Sequence, residues 1–453
     1  MTRKKIIGTE TEYGITRPGT SQYDPISTSI LLINSYQPAK LTRTCWDYDQ
    51  ESPLNDARGF ELDEQVERPS PEDNLVLNKV LANGARLYVD HAHPEFSTPE
   101  CTNVRDALVY EKAGERIVEL SRSWASKLLP PGEQLIVYKN NSDKKGNSYG
   151  YHENYLMSRK TQFAKIAREA MPFLVTRQVL TGAGKVGAEN NAPHTHYQIS
   201  QRADFFETQV GLDTMAKRPI INTRDEPHAD KDKYRRLHVI VGDSNMSEYT
   251  IYLKLGVTSL VLQMIEDNFI DKELTLKSPV RAIRDISHDI TCKKKVDLVG
   301  GRRYSAIEVQ KEYLEMAQRY CRRVGTDPAT ADVLARWEHV LHALESDPMQ
   351  LDREIDWVIK YRLIGTYLDR RGLAWSHPKA PMMDLQYHDT RPDKGLYHLL
   401  VRQGAVVRML AGEEVDHAMT HPPSDTRAYF RGECQRRFGA QIFGVNWDSI
   451  SFA

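Results

Sequence analysis

The stretch NGARLYVDHAHPEFSTPEC, residues 83–101, restricts the fold more than any other part of the chain. RLYVD has the alternation of a strand, and successive residues of a strand leave opposite faces. Leu87 and Val89 therefore face a core. Arg86, Tyr88 and Asp90 share the other face. Glu95 and Glu100 follow after a turn that carries His91, His93 and Pro94. A chain folded this way lines up a guanidinium, a phenol and carboxylates on one surface. Such a row suits either a solvated face or a metal–nucleotide site, because hard divalent cations take oxygen ligands and phosphate takes arginine.

A second strand, IIGTETEYGIT, sends Glu10 and Glu12 to a common face. Carboxylates so placed repel one another unless a cation lies between them. Alone the pair fits a wet edge; in one sheet with RLYVD it becomes a divalent-metal cradle. In GYHENYLM, His152 and Asn154 share one face and Glu153 and Tyr155 the other. His152 follows a glycine-bearing turn and precedes another carboxylate, which makes it a candidate metal ligand. Arg202 and Arg224 stand in polar surroundings after apolar, strand-like runs, where arginines can meet phosphate. His238, inside YRRLHVIVGDSN, fits a core or a site equally. TGAGKVG, residues 181–187, lacks the Walker A spacing and reads as a turn.

Around these strands the chain is mostly helical. A long amphipathic helix follows Cys101, capped by Thr102 or Asn103. Another covers residues 161–174, and from Ser247 onwards helical apolar spacing recurs over SEYTIYLKLGVTSLVLQMIEDNF, 306–323, 331–345 and 353–371. Lys293 to Arg303 reads as a basic surface hairpin. Residues 46–78 are acidic, proline-bearing and poorly periodic, and read as a long mobile loop beside the site. The expected organisation is an α+β catalytic domain over 1–385 and a small C-terminal domain over 386–453. In the latter, Arg427 and Arg431 share a helical face that suits an acidic ligand, though solvated arginines are the commoner case.

The 61 basic and 62 acidic residues among 453 give no global field for nucleic acid. No apolar run approaches the ~18 residues of a membrane span, and nothing near Met1 resembles a signal peptide. The five scattered cysteines argue against zinc and disulfide frameworks, so a cytoplasmic location is expected.

GTETEYG, NGARLYVDHAHPEFSTPEC, KNNSDKKGNSYGYHENYL, PFLVTRQ, INTRDEPHAD, YRRLHVIVGDSN and DTRAYFRGEC, in this order, resemble the family of Pup ligases and Pup deamidases/depupylases. The turn YVDHAHPE and the acidic insertion WDYDQESPLNDARGF are similar to the deamidase branch, whereas ISHDIT is closer to the ligase branch. The resemblance implies a glutamine-synthetase-like large domain, with a curved, mostly antiparallel sheet packed by helices. It implies a chemistry on Pup, the prokaryotic ubiquitin-like protein, and on pupylated proteins of the bacterial proteasome pathway. That chemistry is deamidation of a C-terminal glutamine and cleavage of the Pup–lysine isopeptide bond, or, in the ligase branch, ATP-driven formation of that bond. ATP and magnesium are the implied cofactors. By carry-over Glu10, Tyr88 and Glu95 would hold magnesium, with Glu12 and His152 facing the metals. Arg86, Thr98 and Trp447 would contact the nucleotide, and Asp90 would be the catalytic carboxylate. The acidic loop is expected to gate Pup or nucleotide.

Overall fold

Alternation builds the central sheet. In the computed structural model, which describes residues 5–453 except 22, 39–43, 50, 64–67, 215 and 216, the strands that shape the site are β1 (Ile7–Glu12), β2 (Cys45–Trp46), β3 (Asn78–Val80), β4 (Arg86–Asp90), β5 (His93–Ser97), β6 (Tyr151–Ser158), β7 (Tyr234–Val239), β8 (Ile442–Val445) and β9 (Ile450–Phe452). Six of them form one antiparallel sheet in the order β7-β6-β1-β5-β4-β3. The two carboxylate-bearing strands share this sheet, as expected, but β5 lies between them. The tight hairpin after Asp90 folds β5 back along one edge of β4, while β3 pairs with the other.

The supporting helices are α1 (Pro25–Ser35), α2 (Pro71–Leu77), α3 (Val104–Ser126), α4 (Phe163–Thr176), α5 (Glu248–Glu266), α6 (Ala306–Val324), α7 (Pro328–Ser346), α8 (Asp356–Arg371) and α9 (Arg427–Phe438). Asn103 starts α3: its Oδ1 accepts from Asp106 N at 2.8 Å. The helix lies close on the sheet because Gly114 faces the Phe96 ring; a Cβ there would come within 2.3 Å of it. α5, capped by Ser247, is buried along nearly its whole length and packs behind β6. No described helix is long and apolar enough to cross a membrane.

Charges also lie on this back face. Glu153 of β6 meets Arg177 through two hydrogen bonds of 2.6 and 2.8 Å. Lys139 Nζ donates to Glu111 Oε1 at 2.8 Å, and Lys112 Nζ to Glu115 Oε2 at 2.6 Å. Burial alone would raise the Glu115 carboxyl, but the Lys112 and Lys139 ammonium groups bring it down to about 2. A folded-state value below the unfolded one, ~4.3, stabilises the protein above the unfolded value, and that stabilisation is lost as pH falls through the folded one. We expect Glu115 to contribute up to about 3 kcal/mol that disappears between about pH 4 and pH 2. Urea unfolding across that range should show a steeper acid loss in the native chain than in Glu115→Gln.

The acidic segment is not one structureless loop in its described part. Trp46 is buried, Asn74 exchanges hydrogen bonds with its backbone N–H and C=O, and Pro71 opens α2. Ser52 N donates to Glu226 Oε1, and Thr223 Oγ1 donates to Asp56 Oδ2. Poor periodicity misleads here because side-chain caps, not an apolar stripe, hold the segment. Residues 50 and 64–67 of it lie outside the described residues. TGAGKVG holds a short buried strand, Lys185–Val186, paired with Tyr197–Gln198. At the far end β8 pairs in parallel with β2 and antiparallel with β9. The arginine face of α9 is satisfied within the chain. Arg427 and Arg431 grip Glu100, and Arg436 and Arg437 grip Glu433. The first pair is not left to an outside acid: its carboxylate belongs to the protein itself.

Candidate active site

Residues directly opposite across antiparallel strands point the same way, so the register assembles the site. One row runs Tyr88↔Glu95↔Glu12 over β4, β5 and β1. The next runs Arg86↔Ser97↔Glu10↔His152 over four strands. Asp90↔His93 and Asn154↔His238 flank them. Strands drawn from residues 7–12, 86–97, 151–158 and 234–239 thus put their polar side chains on one open face.

Among the described residues two groups could hold a metal ion, Glu10–His152–His238 and Glu12–Asp90–Glu95, with the ligand atoms of each within 4.8 Å of one another. In the first group Glu10 accepts from Asn154 at 2.9 Å and lies 3.1 Å from His152 Nδ1. Burial would raise the Glu10 carboxyl, but the His152 and His238 contacts and the Arg236 charge hold it well below its usual range. His238 Nε2 is buried 3.4 Å from Glu10 Oε2 and has no hydrogen-bond partner. In the second group the acids oppose one another. Burial, then the Asp90, Glu12 and Glu10 charges, push Glu95 well above the carboxylate range. A buried acid raised by like charges and an orphaned imidazole nitrogen are what a divalent cation would relieve, so the donor set fits one.

Asp90 ends β4 beside His91, whose backbone adopts φ 53°. His91 Nδ1 stands 3.1 Å from Asp90 Oδ1. Burial raises the Asp90 carboxyl, but the His91 contact together with the His91, His152 and Arg224 charges outweighs it, so Asp90 stays below its ordinary value.

A cavity of about 920 Å³ opens over this face. Of the residues singled out from sequence, Glu10, Glu12, Arg86, Tyr88, Asp90, Glu95, His152, Arg202, Arg224 and Trp447 all line it. Thr98 does not. It lines an adjoining cavity of about 280 Å³ shared with Ile6, Leu156, Pro227 and Trp447, and its Oγ1 accepts from Thr9 N. Arg202 reaches the large cavity from a buried position, donating to Ile240 O at 2.5 Å. Arg86 is partly engaged by Asn78 Oδ1.

Several residues at the site escaped the sequence reading. Arg236 lies two residues before His238 on β7, but the apolar run around it masks the alternation that exposed Glu10 and Glu12; His238, open between core and site in the sequence, takes its place in the site. Arg236 bridges Glu10 and Glu226. Arg218, Glu51 and His228 come from loops, where no periodicity marks a face.

An antiparallel sheet with carboxylates and histidines converging on a large cavity defines an α+β protein with a carboxylate-centred site. The Pup-ligase protein family matches residues 5–451, and the chain belongs to that family. It is 53% identical to a depupylase of Acidothermus cellulolyticus, over 99% of this chain and 91% of the relative. It is 48% identical to a Pup deamidase/depupylase of Mycolicibacterium smegmatis with the same coverage. A Pup–protein ligase of Nocardioides sp. is 48% identical over 82% of this chain and 83% of its own length. Among solved structures, the Pup ligase in its complex with Pup is similar with a TM-score of 0.83 and 34% identity, over 98% of this chain and 86% of that one.

Proposed function

We propose that this chain is a Pup deamidase/depupylase. It hydrolyses the C-terminal glutamine of Pup to glutamate and cleaves the isopeptide bond between Pup and a substrate lysine, with Mg²⁺ and ATP as bound cofactors. The observation that carries this reading is the Glu12–Asp90–Glu95 cluster under the large cavity, on a chain whose near-full-length likeness to a depupylase exceeds its partial likeness to a ligase.

Glu10, Glu12, Tyr88, Glu95 and His152 would hold magnesium, and His238 joins the Glu10 group. Arg86, Arg202, Arg224, Thr98 and Trp447 would hold ATP, with the base in the smaller cavity. Bound magnesium supplies charge neutralisation and Lewis-acid polarisation. The chain's own contribution is Asp90. Held ionised, it attacks the γ-carbonyl carbon or takes a proton from the water that does. Arg218, on the same cavity, offsets the oxyanion that forms. Deamidation and depupylation break a C–N bond at the same carbonyl and differ only in the departing amine, so one site serves both.

Incubation with Mg-ATP and each form of Pup, followed by mass spectrometry, tests this. Glutamine-ended Pup should exchange its amide NH₂ for OH, and a Pup conjugate should release free Pup. ADP formation that needs glutamate-ended Pup and a lysine acceptor would identify a ligase instead. Chelation of magnesium should remove the rise in melting temperature that ATP otherwise gives.

A further inference from the structure

A continuous stack of rings and guanidinium groups crosses from the sheet to the C-terminal segment. The Arg86 guanidinium carbon lies 4.0 Å from the Tyr88 ring centroid and 4.0 Å from that of Trp46. Trp46 meets Trp447 edge to face, with centroids 5.2 Å apart and planes at 73°. Beyond Trp447 the Arg431 guanidinium carbon stands 4.9 Å from the indole. Arg431 also donates to Trp447 O at 2.5 Å, to Gly84 O at 2.9 and 2.8 Å, and to Glu100 Oε2 at 2.5 Å. Trp46 and Arg431 are 1% and 2% exposed, and neither lines the two cavities. Arg86 and Trp447 do line the large one, and Trp447 lines both.

We propose that Trp46 and Arg431 are positioning residues. They clamp Arg86 and Trp447 into one rigid wall, and this wall shapes the seat of the nucleoside triphosphate. This rests on the reading of the cavities as a nucleotide site. The physical reason is local. Arg86 and Trp447 come from segments separated by most of the chain, and the described sheet does not pair their strands directly. Trp46 gives Arg86 a flat face on one side and Trp447 an edge on the other. Its own indole N–H is fixed by Glu51 Oε1 at 2.7 Å, and its strand β2 is paired with β8 two residues before Trp447. Arg431 closes the far side of Trp447 and ties its backbone to the turn that precedes Arg86. A cation held between two aromatic faces gains from both only while the rings keep their planes. Removing Trp46 therefore takes one flat face from the Arg86 guanidinium, leaving Asn78 and Tyr88 to hold it, and takes the edge contact from the Trp447 indole at the same time. A cavity wall that must be ordered on binding costs affinity.

The test compares Trp46→Leu, which keeps apolar bulk without a ring, with Trp46→Phe, which keeps a face for Arg86. Mg-ATP binding is read by calorimetry and folding by the melting temperature without nucleotide. Trp46→Leu should bind Mg-ATP about tenfold more weakly and Trp46→Phe within about threefold of the native chain. In turnover, the KM for ATP should rise more than kcat falls. If Trp46→Leu does not melt cooperatively, Arg431→Lys decides. It keeps the charge beside Glu100 but loses the planar group, and should weaken binding about fivefold. Native-like Mg-ATP affinity in the folded variants overturns the proposal. A native chain that binds no ATP would instead overturn the nucleotide reading on which it rests.

Discussion

Asp90→Asn should lose turnover while the fold and Mg-ATP binding remain. The substitution keeps shape and removes one charge from a group at the end of β4. The His91 contact at Oδ1 can persist, and the strand register that fixes the residue, Asp90↔His93, involves backbone alone. An amide oxygen is neither an effective nucleophile for a carbonyl nor a base for water at neutral pH. We expect ammonia release from glutamine-ended Pup to fall by between about 100- and 10,000-fold. An active Asp90→Asn protein would remove the catalytic assignment. Single turnover in heavy-oxygen water with hydroxylamine trapping separates the two roles. Heavy oxygen recovered in the peptide containing Asp90 marks direct attack with water opening the mixed anhydride at the aspartyl carbon; where the label goes to Pup alone, an Asp90 hydroxamate marks an anhydride opened at the glutamyl carbon, and its absence marks water activated by Asp90.

The largest stability loss should come from Arg177→Met. Arg177 and Glu153 are essentially inaccessible to solvent, at 1% and 0% side-chain exposure, and Arg177 also holds Val241 O at 3.0 Å. Removing the guanidinium leaves a carboxylate behind the central sheet with the Tyr155 hydroxyl, at 2.8 Å, and the nearby Lys254 ammonium as its remaining compensation. Breaking one side of such a pair costs about 3–5 kcal/mol. Replacing both partners by apolar residues, Glu153→Leu with Arg177→Met, should recover much of that, because the desolvation penalty of the pair disappears with it. Denaturant titration of the two variants checks the sign. A single variant as stable as the native chain would mean that water reaches Glu153.

Much of the site was legible because strands advertise their faces. Glu10 with Glu12, Arg86 with Tyr88 and Asp90, and His152 with Asn154 each sit two residues apart, and the sheet places each set on the open face. Asn103 before Val104 marked the start of α3 by the chemistry of its side chain. Sheet order was not legible: nothing in RLYVD or IIGTETEYGIT says that β5 comes between them. Arg236 was obscured by the buried strand that carries it, and His238 stayed open between core and site. The same alternation could have exposed them once Leu237 and Val239 were placed in the core. The short helix and caps inside the acidic loop were not legible because they rest on side chains, Asn74 on the Trp46 backbone and Asp56 on Thr223, rather than on an apolar period. Arg427 and Arg431 looked free in sequence; their partner Glu100 is more than three hundred residues away. Pairings at that separation leave no local pattern.

The most direct measurement is a calorimetric titration of ATP into the native chain with and without Mg²⁺, repeated for Glu10→Gln and Glu95→Gln. If acids from distant strands enclose a cation that carries the nucleotide, binding is saturable with Mg²⁺, weakens at least about tenfold on chelation, and weakens similarly in both variants. ATP affinity that is indifferent to the metal and to both substitutions would contradict the account.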